Sequence, residues 1–86
     1  MSDWLLYILE CKDGSLYTGV TTDLTKRLKK HNQGSACKYT RTRKPVKVIY
    51  TELIGDESLA KKREIEVKKL SRENKLRLIK CFVPRD

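Results

Sequence analysis

The first twenty residues constrain the fold more than any other part of the chain, because two apolar runs flank a short turn. Residues 4–11 are rich in apolar and aromatic side chains, which is typical of a strand buried on both faces. Residues 12–15 have the composition of a turn, and residues 16–20 read as a second short strand. The sequence therefore predicts an antiparallel β-hairpin over residues 4–20.

The loop of this hairpin decides whether two tyrosines share a face. A two-residue turn would place Tyr7 and Tyr17 on opposite faces of the sheet. A three-residue loop ending at Gly14, with that glycine in the left-handed conformation, instead sets Tyr7 opposite Gly19 and puts both phenols on one face. We expect the three-residue loop because Gly14 stands where a positive φ is needed, and because Gly19 leaves space over the Tyr7 ring.

After the hairpin we expect a helix, an irregular loop and a third strand. Thr22 is the expected N-cap of the helix, with Asp23 in its first turn, and the helix should run to about Asn32 and stop at Gly34. Residues 33–45 show no periodicity and predict a basic loop. Residues 46–53 alternate and are β-branched, which predicts a strand.

Two helices complete the chain. The first is predicted at 56–70, after a turn and cap at Gly55-Asp56, with an apolar stripe formed by Leu59, Ala60, Val67 and Leu70. The second is predicted to follow an N-cap at Ser71 and to run to about Lys80. The order β-β-α-β-α-α predicts one small α/β (α+β) domain over residues 1–86, a three-stranded, mainly antiparallel sheet flanked by helices.

Positive charge is concentrated in one interval of the chain. The net charge is +9, from 20 Lys and Arg against 11 Asp and Glu, yet no acidic residue lies between Asp23 and Glu52. A one-sign interval that covers a helix, a loop and a strand start is typical of a phosphate-binding surface, although a merely soluble basic surface is the alternative. We expect Tyr39 to stack on a base. The basic residues expected to contact nucleic acid are Lys26, Lys30, Lys38, Arg41, Arg43 and Lys44.

Three side chains at predicted helix positions are candidates for chemistry. Arg27 and His31 are four residues apart and can converge on one site, where the guanidinium fork suits a phosphate. Glu64 borders the apolar stripe of its helix, and such a carboxylate either pairs with a base or coordinates a cation. The alternatives are a solvated arginine and a structural histidine.

The cysteines exclude a Cys/His zinc site. Cys11, Cys37 and Cys81 are far apart without a CxxC spacing, and the chain has a single histidine. Reduced thiols in a cytoplasmic protein are the expectation. No apolar run approaches the roughly 20 residues that span a bilayer, so no membrane association is expected.

The two hairpin tyrosines, followed along the chain by Arg27, His31 and Glu64, resemble the motifs of the GIY-YIG nuclease superfamily. The resemblance is closest to its small, single-domain bacterial members of uncharacterised function. The resemblance covers roughly residues 4–80. The chain departs from the family pattern at Leu5 and Leu6 in the first motif and at Thr18 in the second, and all three are packing positions. Many members of the family also have an asparagine late in the fold, and Asn74 is the only late candidate in this chain. The residues that carry the resemblance are Leu5-Leu6-Tyr7, Tyr17-Thr18-Gly19, Arg27, His31 and Glu64.

The resemblance implies metal-dependent hydrolysis of phosphodiester bonds. Glu64 and waters would hold one divalent cation, Mg²⁺ or Mn²⁺. Tyr17 would act as general base, and Arg27 would both stabilise transition-state charge and help to lower the pKa of that phenol. Tyr7 would bind the phosphate or support Tyr17, while His31 would relay the proton or orient Tyr17.

Three functions follow as hypotheses. The first is a DNA endonuclease, structure- or damage-directed, in DNA repair or recombination, with RNA left open as a partner. The second is a nucleic-acid-binding accessory protein with the same fold and little catalysis, which the expected lack of a separate DNA-binding domain favours. The third is a basic protein of ribosomes or structured RNA.

Overall fold

A computed structural model describes residues 3–80 of the chain. The predicted order of elements is confirmed, and one short helix is added in the segment predicted to be an irregular loop. The elements are β1 (Trp4–Cys11), β2 (Leu16–Thr21), α1 (Leu24–Gln33), α2 (Lys38–Arg41), β3 (Val46–Gly55), α3 (Glu57–Lys68) and α4 (Arg72–Lys80).

The sheet has the strand order β2-β1-β3, and both pairs are antiparallel. Because β1 is central, its side chains are buried on both faces, as predicted. Leu6 and Ile8 pack with Val67 of α3 on one face. Tyr7 and Leu9 pack on the other face, against side chains of α1. The candidate tyrosines therefore lie on the side of the sheet that α1 covers.

The hairpin has the three-residue loop that the glycine predicts. Gly14 has a φ of 85°, and its N–H donates to the carbonyl of Cys11 at 2.9 Å. The resulting register pairs Tyr7 with Gly19 and Leu9 with Tyr17. A Cβ at Gly19 would lie 2.5 Å from Oη of Tyr7, so the space expected there is filled by the Tyr7 ring.

The helix ends follow local capping rules, with one correction. The N-cap of α1 is Asp23 rather than the predicted Thr22: its side chain accepts the N–H of Lys26 at 3.0 Å. The hydroxyl of Thr21 accepts the N–H of Asp23 at 3.1 Å, which holds Asp23 in the extended conformation that an N-cap requires. Gly34 ends α1 with a φ of 80°, as predicted.

The later elements differ from prediction in their details. Asp56 and Ser71 accept N–H groups of the first turns of α3 and α4, which agrees with their predicted capping roles. Leu59 was expected in the apolar stripe of α3, but it is 55% exposed, whereas Ala60 and Val67 are buried. The buried stripe of α3 is narrower than predicted, because Ala60 and Val67 face the sheet and Leu59 does not.

The side chain of Asn32 ties α1 to the start of β3. Its Oδ1 accepts the N–H of Val46 at 2.7 Å, and its Nδ2 donates to the carbonyl of the same residue at 3.2 Å. This pair of bonds fixes the C-terminal end of α1 against the sheet, one residue after His31.

None of the helices within residues 3–80 is both long and apolar enough to cross a membrane. Cys11 and Cys37 are free thiols. Cys81 lies outside the described residues.

Candidate active site

Tyr7 and Tyr17 project from neighbouring strands onto one face, as the hairpin register predicts. Their ring centroids are 6.4 Å apart, and the Tyr17 ring lies 5.1 Å from the imidazole of His31 in an edge-to-face arrangement. Tyr7 is fully buried, whereas Tyr17 is partly exposed. The two phenols and the imidazole form one aromatic cluster between the sheet and α1, which Tyr17 alone links to solvent.

The His31 side chain lies in the interior of this cluster and uses both ring nitrogens. Its Nε2 is 3.0 Å from Oη of Tyr7, and its Nδ1 is 2.8 Å from Oγ1 of Thr40. Burial and the nearby Arg27 charge lower the pKa of His31, so the imidazole is neutral at neutral pH. A neutral ring has one donor and one acceptor, and the structure gives each of them a partner.

Arg27 lies beside Tyr7 with part of its hydrogen-bonding capacity unused. Hydrogen bonding to Tyr7 is the main cause that raises the pKa of the guanidinium. Its Nε is nevertheless buried without an acceptor among residues 3–80; the other such side-chain atom there is Oγ1 of Thr18, on the opposite face of the sheet from Tyr17. A buried donor of a cationic group without a partner is costly, and an anionic oxygen would satisfy it.

The ionisation of the two phenols differs from the sequence-based expectation. Burial raises the pKa of Tyr7 and of Tyr17 above their ordinary value, and the charge of Arg27 opposes that rise without cancelling it. The charge of Arg27 therefore acts on the Tyr17 pKa in the expected direction, but by itself it does not offset the effect of burial. Both phenols are protonated in the unliganded protein.

Glu64 lies on α3 and is not one of the side chains that form the aromatic cluster. Its carboxylate pairs with Lys68 at 3.3 Å while remaining 22% exposed. Its charge reaches the cluster, since it contributes to raising the pKa of Tyr7. Two roles were predicted for Glu64, pairing with a basic side chain or coordinating a cation, and the structure contains the first of them.

The donor set around Glu64 limits which metal it can hold. Within residues 3–80 there is no group of three or more His, Cys, Asp or Glu side chains that could enclose an ion. A single accessible carboxylate fits a hard cation such as Mg²⁺, which keeps most of its waters, and does not fit zinc.

Two residues of the site were not predicted from the sequence. Thr40 is fully buried and contacts His31, and its Oγ1 is 3.4 Å from Sγ of Cys37. Burial alone would raise the pKa of Cys37, but hydrogen bonds from Thr40 and Tyr17 outweigh it, and the net pKa is lowered. Both residues lie in the segment whose lack of apolar periodicity predicted only a loop, so periodicity gave no signal for either.

The predicted nucleic-acid surface is largely accessible. Tyr39 lies 5.8 Å from the Tyr17 ring and is 37% exposed, but the Arg43 guanidinium covers its ring at 4.2 Å. Arg43 is partly buried; it donates to the Tyr39 carbonyl at 2.8 Å and to Asp13 at 3.2 Å, so it holds the loop together as well as carrying charge. Asn74 is exposed on α4. The predicted basic residues that are fully exposed are Lys26, Lys30, Lys38, Arg41 and Lys44.

Comparison with known proteins places the chain in one family. The profile of the GIY-YIG catalytic domain matches residues 3–77. UPF0213 protein SSP2268 of Staphylococcus saprophyticus is 51% identical over 79 residues, which cover 92% of this chain and 96% of that protein. UPF0213 protein of Staphylococcus aureus (strain Mu3) is 49% identical over 80 residues, covering 93% of this chain and 98% of the relative.

Two solution NMR structures have the same fold. UPF0213 protein BH0048 from Bacillus halodurans has a TM-score of 0.60 and 47% identity, and the match covers 91% of this chain and 83% of that one. Protein EF2693 from E. faecalis has a TM-score of 0.59 and 40% identity, with 100% of this chain and 94% of that chain covered.

Proposed function

Because the chain belongs to the GIY-YIG family, whose members include nucleases, we propose that it is a metal-dependent endonuclease that hydrolyses phosphodiester bonds of DNA. One observation carries the proposal: the buried, unpartnered Nε of Arg27 beside two tyrosines. A phosphate oxygen is the acceptor that this donor lacks. We further propose that residues 1–86 act as one domain in the cytoplasm, where free thiols such as Cys11 and Cys37 persist.

The phosphate would bind where Arg27 and Tyr17 meet. Arg27 supplies a permanent positive charge, and its Nε is already desolvated, so a small movement that brings this donor into contact with a phosphate would complete its hydrogen bonding. Tyr17 supplies a hydroxyl at the exposed edge of the cluster. A negative charge that develops on the phosphate in the transition state would be stabilised there more strongly than in water.

Tyr17 is the proposed general base and Tyr7 its buried support. The attacking water would lose its proton to the Tyr17 oxygen, which must first be deprotonated itself. The Tyr7 hydroxyl faces the neutral His31, which can accept a proton from it through Nε2. For Tyr17 to become the phenolate, its proton would pass to the oxygen of the neighbouring Tyr7 as the Tyr7 proton passes to Nε2 of His31, which leaves Tyr7 neutral and His31 as an imidazolium.

Glu64 is the residue that would hold a divalent cation, Mg²⁺ or Mn²⁺, whose chemistry would be to neutralise charge on the phosphate and the leaving oxygen. Lys68 now occupies its carboxylate and would have to release it.

The basic surface around the site would hold the rest of the nucleic acid. Its residues on α1 and α2 are exposed, and Tyr39 on α2 lies 5.8 Å from the Tyr17 ring, so α2 brings this surface next to the site. Contacts from lysine and arginine to phosphates position a substrate without reading its sequence. This favours recognition of a DNA structure or a damaged site, as in repair or recombination, over recognition of a base sequence.

A nuclease assay with paired variants tests the proposal. Tyr17→Phe and Glu64→Gln should each lower cleavage of branched, nicked or duplex DNA in Mg²⁺ or Mn²⁺, by about 10²–10⁴-fold if Tyr17 acts as general base. Tyr50→Phe and Glu66→Gln are matched controls, because Tyr50 lies in the core on the other face and Glu66 is exposed on α3. Cleavage that is unchanged in both active-site variants would contradict the proposal.

The accessory-protein function remains the second candidate, because burial keeps both phenols protonated in the unliganded protein. Binding of DNA without cleavage under any metal condition would favour it.

A salt titration tests the proposed binding surface. Replacing Arg41 and Lys44 by Ala should reduce the slope of log affinity against log salt on duplex DNA by about 1.8, because each lost phosphate contact contributes about 0.9. Lys61→Ala with Lys62→Ala removes the same charge from α3 and should leave the slope close to that of the parent. Equal effects of the two double variants would show that net charge, not this surface, determines affinity.

A further inference from the structure

Thr40 is a fully buried hydroxyl at a position where the protein could have used an apolar side chain. It lies on α2, the short helix whose other three residues are exposed. Its Oγ1 is 2.8 Å from Nδ1 of His31, a distance typical of a well-formed hydrogen bond. A buried polar group this well placed is expected to specify the state of its partner.

The hydrogen bonds around Thr40 have a consistent direction. The guanidinium of Arg27 can only donate, so it approaches Tyr7 through the lone pairs of the phenol oxygen. That leaves the Tyr7 hydrogen free to point to Nε2 of His31, and in this arrangement the single proton of the neutral ring is on Nδ1. That proton is donated to Oγ1 of Thr40, whose own hydrogen is left for Sγ of Cys37.

We propose that Thr40 is a positioning residue, which holds the His31 ring in the tautomer with its proton on Nδ1 and so keeps Nε2 free to accept from Tyr7. The inference rests on the proposed function only for its effect on cleavage. The tautomer itself can be measured whether or not the protein is a nuclease.

Removing the hydroxyl would release the ring. In Thr40→Val the side chain keeps almost the same shape, but Nδ1–H of His31 is left buried without an acceptor. The tautomer with the proton on Nε2 then becomes competitive. In that tautomer Nε2 donates to Tyr7 and can no longer accept its proton, so the relay from Tyr7 is blocked.

The first test is the ¹⁵N spectrum of the imidazole. His31 is the only histidine of the chain, so a single ring contributes and needs no assignment. The parent protein should show a protonated, pyrrole-type Nδ1 and a pyridine-type Nε2 at a pH where the ring is neutral. Thr40→Ser should keep that pattern. In Thr40→Val the ¹⁵N chemical shifts of the two nitrogens should move toward the average of the two tautomers, or change places if the second tautomer predominates.

Thr42→Val is the matched control, because it makes the same chemical change on an exposed residue at the end of α2. Its imidazole spectrum should equal that of the parent. A parent spectrum with a protonated Nε2 would overturn the inference, even if Thr40→Val failed to fold. So would a folded Thr40→Val protein with unchanged ring shifts.

The second test applies if the parent cleaves DNA. Thr40→Val should lower kcat by about 10–100-fold, the usual range for a residue that orients a functional group, with KM and DNA affinity unchanged. Thr40→Ser should recover most of that loss. A rise in KM alone, or no recovery with serine, would assign Thr40 a packing role. Absence of cleavage by the parent would contradict the proposed function while leaving the spectral test of Thr40 intact.

Discussion

Substitution of Gly19 by alanine is expected to displace the Tyr7 ring, because the phenol occupies the space that a side chain on Gly19 would need. A Cβ there would lie 2.5 Å from Oη and 2.7 Å from Cζ of Tyr7, whereas ordinary contact begins at 3.4 Å. The ring must therefore move by about 0.9 Å, the difference between these distances. Such a displacement would disrupt the 3.0 Å hydrogen bond between Tyr7 and His31.

The expected loss of stability combines two effects. Overpacking of a close-packed core costs about 1–3 kcal/mol. Loss of a neutral buried hydrogen bond adds about 0.5–1.5 kcal/mol. Gly19→Ala should therefore lower the free energy of unfolding by about 1.5–4.5 kcal/mol in urea titrations, a large share of the stability of a small domain.

A double-mutant cycle with Tyr7→Phe separates this account from a general effect of alanine in a strand. Tyr7→Phe removes the nearest clashing atom and the hydrogen bond, although Cζ would still lie 2.7 Å from the new Cβ, so Gly19→Ala should cost about 0.5–1.5 kcal/mol less in this background. The reasoning is refuted if alanine costs the same in both backgrounds. It is also refuted if Gly19→Ala lies within about 0.5 kcal/mol of the parent, the range of an ordinary surface change.

Two further predictions concern pH. Burial raises the pKa of Tyr17 above its ordinary value of 10.0, so a rate that needs its phenolate should rise about tenfold per pH unit between about pH 7 and 9, as measured by kcat/KM. A plateau within that range would exclude Tyr17 as the base. Burial lowers the pKa of His31 below 6.5, so its neutral form contributes stability that is present above pH 6.5 and is lost as pH falls through the folded-state pKa. Urea titrations should show this loss, at most about 1.4 kcal/mol per pH unit, in the parent but not in His31→Gln; equal slopes would contradict it.

Local rules predicted the features that depend on neighbours in sequence. Gly14 and strand parity gave the hairpin register, and with it the shared face of Tyr7 and Tyr17. Helix caps at Asp56 and Ser71 followed from the same kind of rule. The N-cap of α1 was missed by one residue, because Thr22 and Asp23 are both good caps and the choice depends on the hydroxyl of Thr21.

The features that were missed depend on burial and on contacts distant in sequence. The direction of the Tyr17 pKa shift is set by burial, which the sequence does not reveal. Thr40 lies in a polar segment, and only the folded chain shows that its hydroxyl faces His31. Arg43 is predicted from the sequence to contact nucleic acid, and only the folded chain shows that it also bonds Asp13, thirty residues away.

The Asn32 side chain also protects an open edge of the sheet. Because β3 is an outer strand, its outward N–H and carbonyl groups are a template on which a strand of another molecule could pair. The amide of Asn32 takes both backbone groups of Val46, as a single residue of a fourth strand would. The contact that positions the helix carrying His31 thus also removes the first rung of a ladder along which copies of the protein could aggregate.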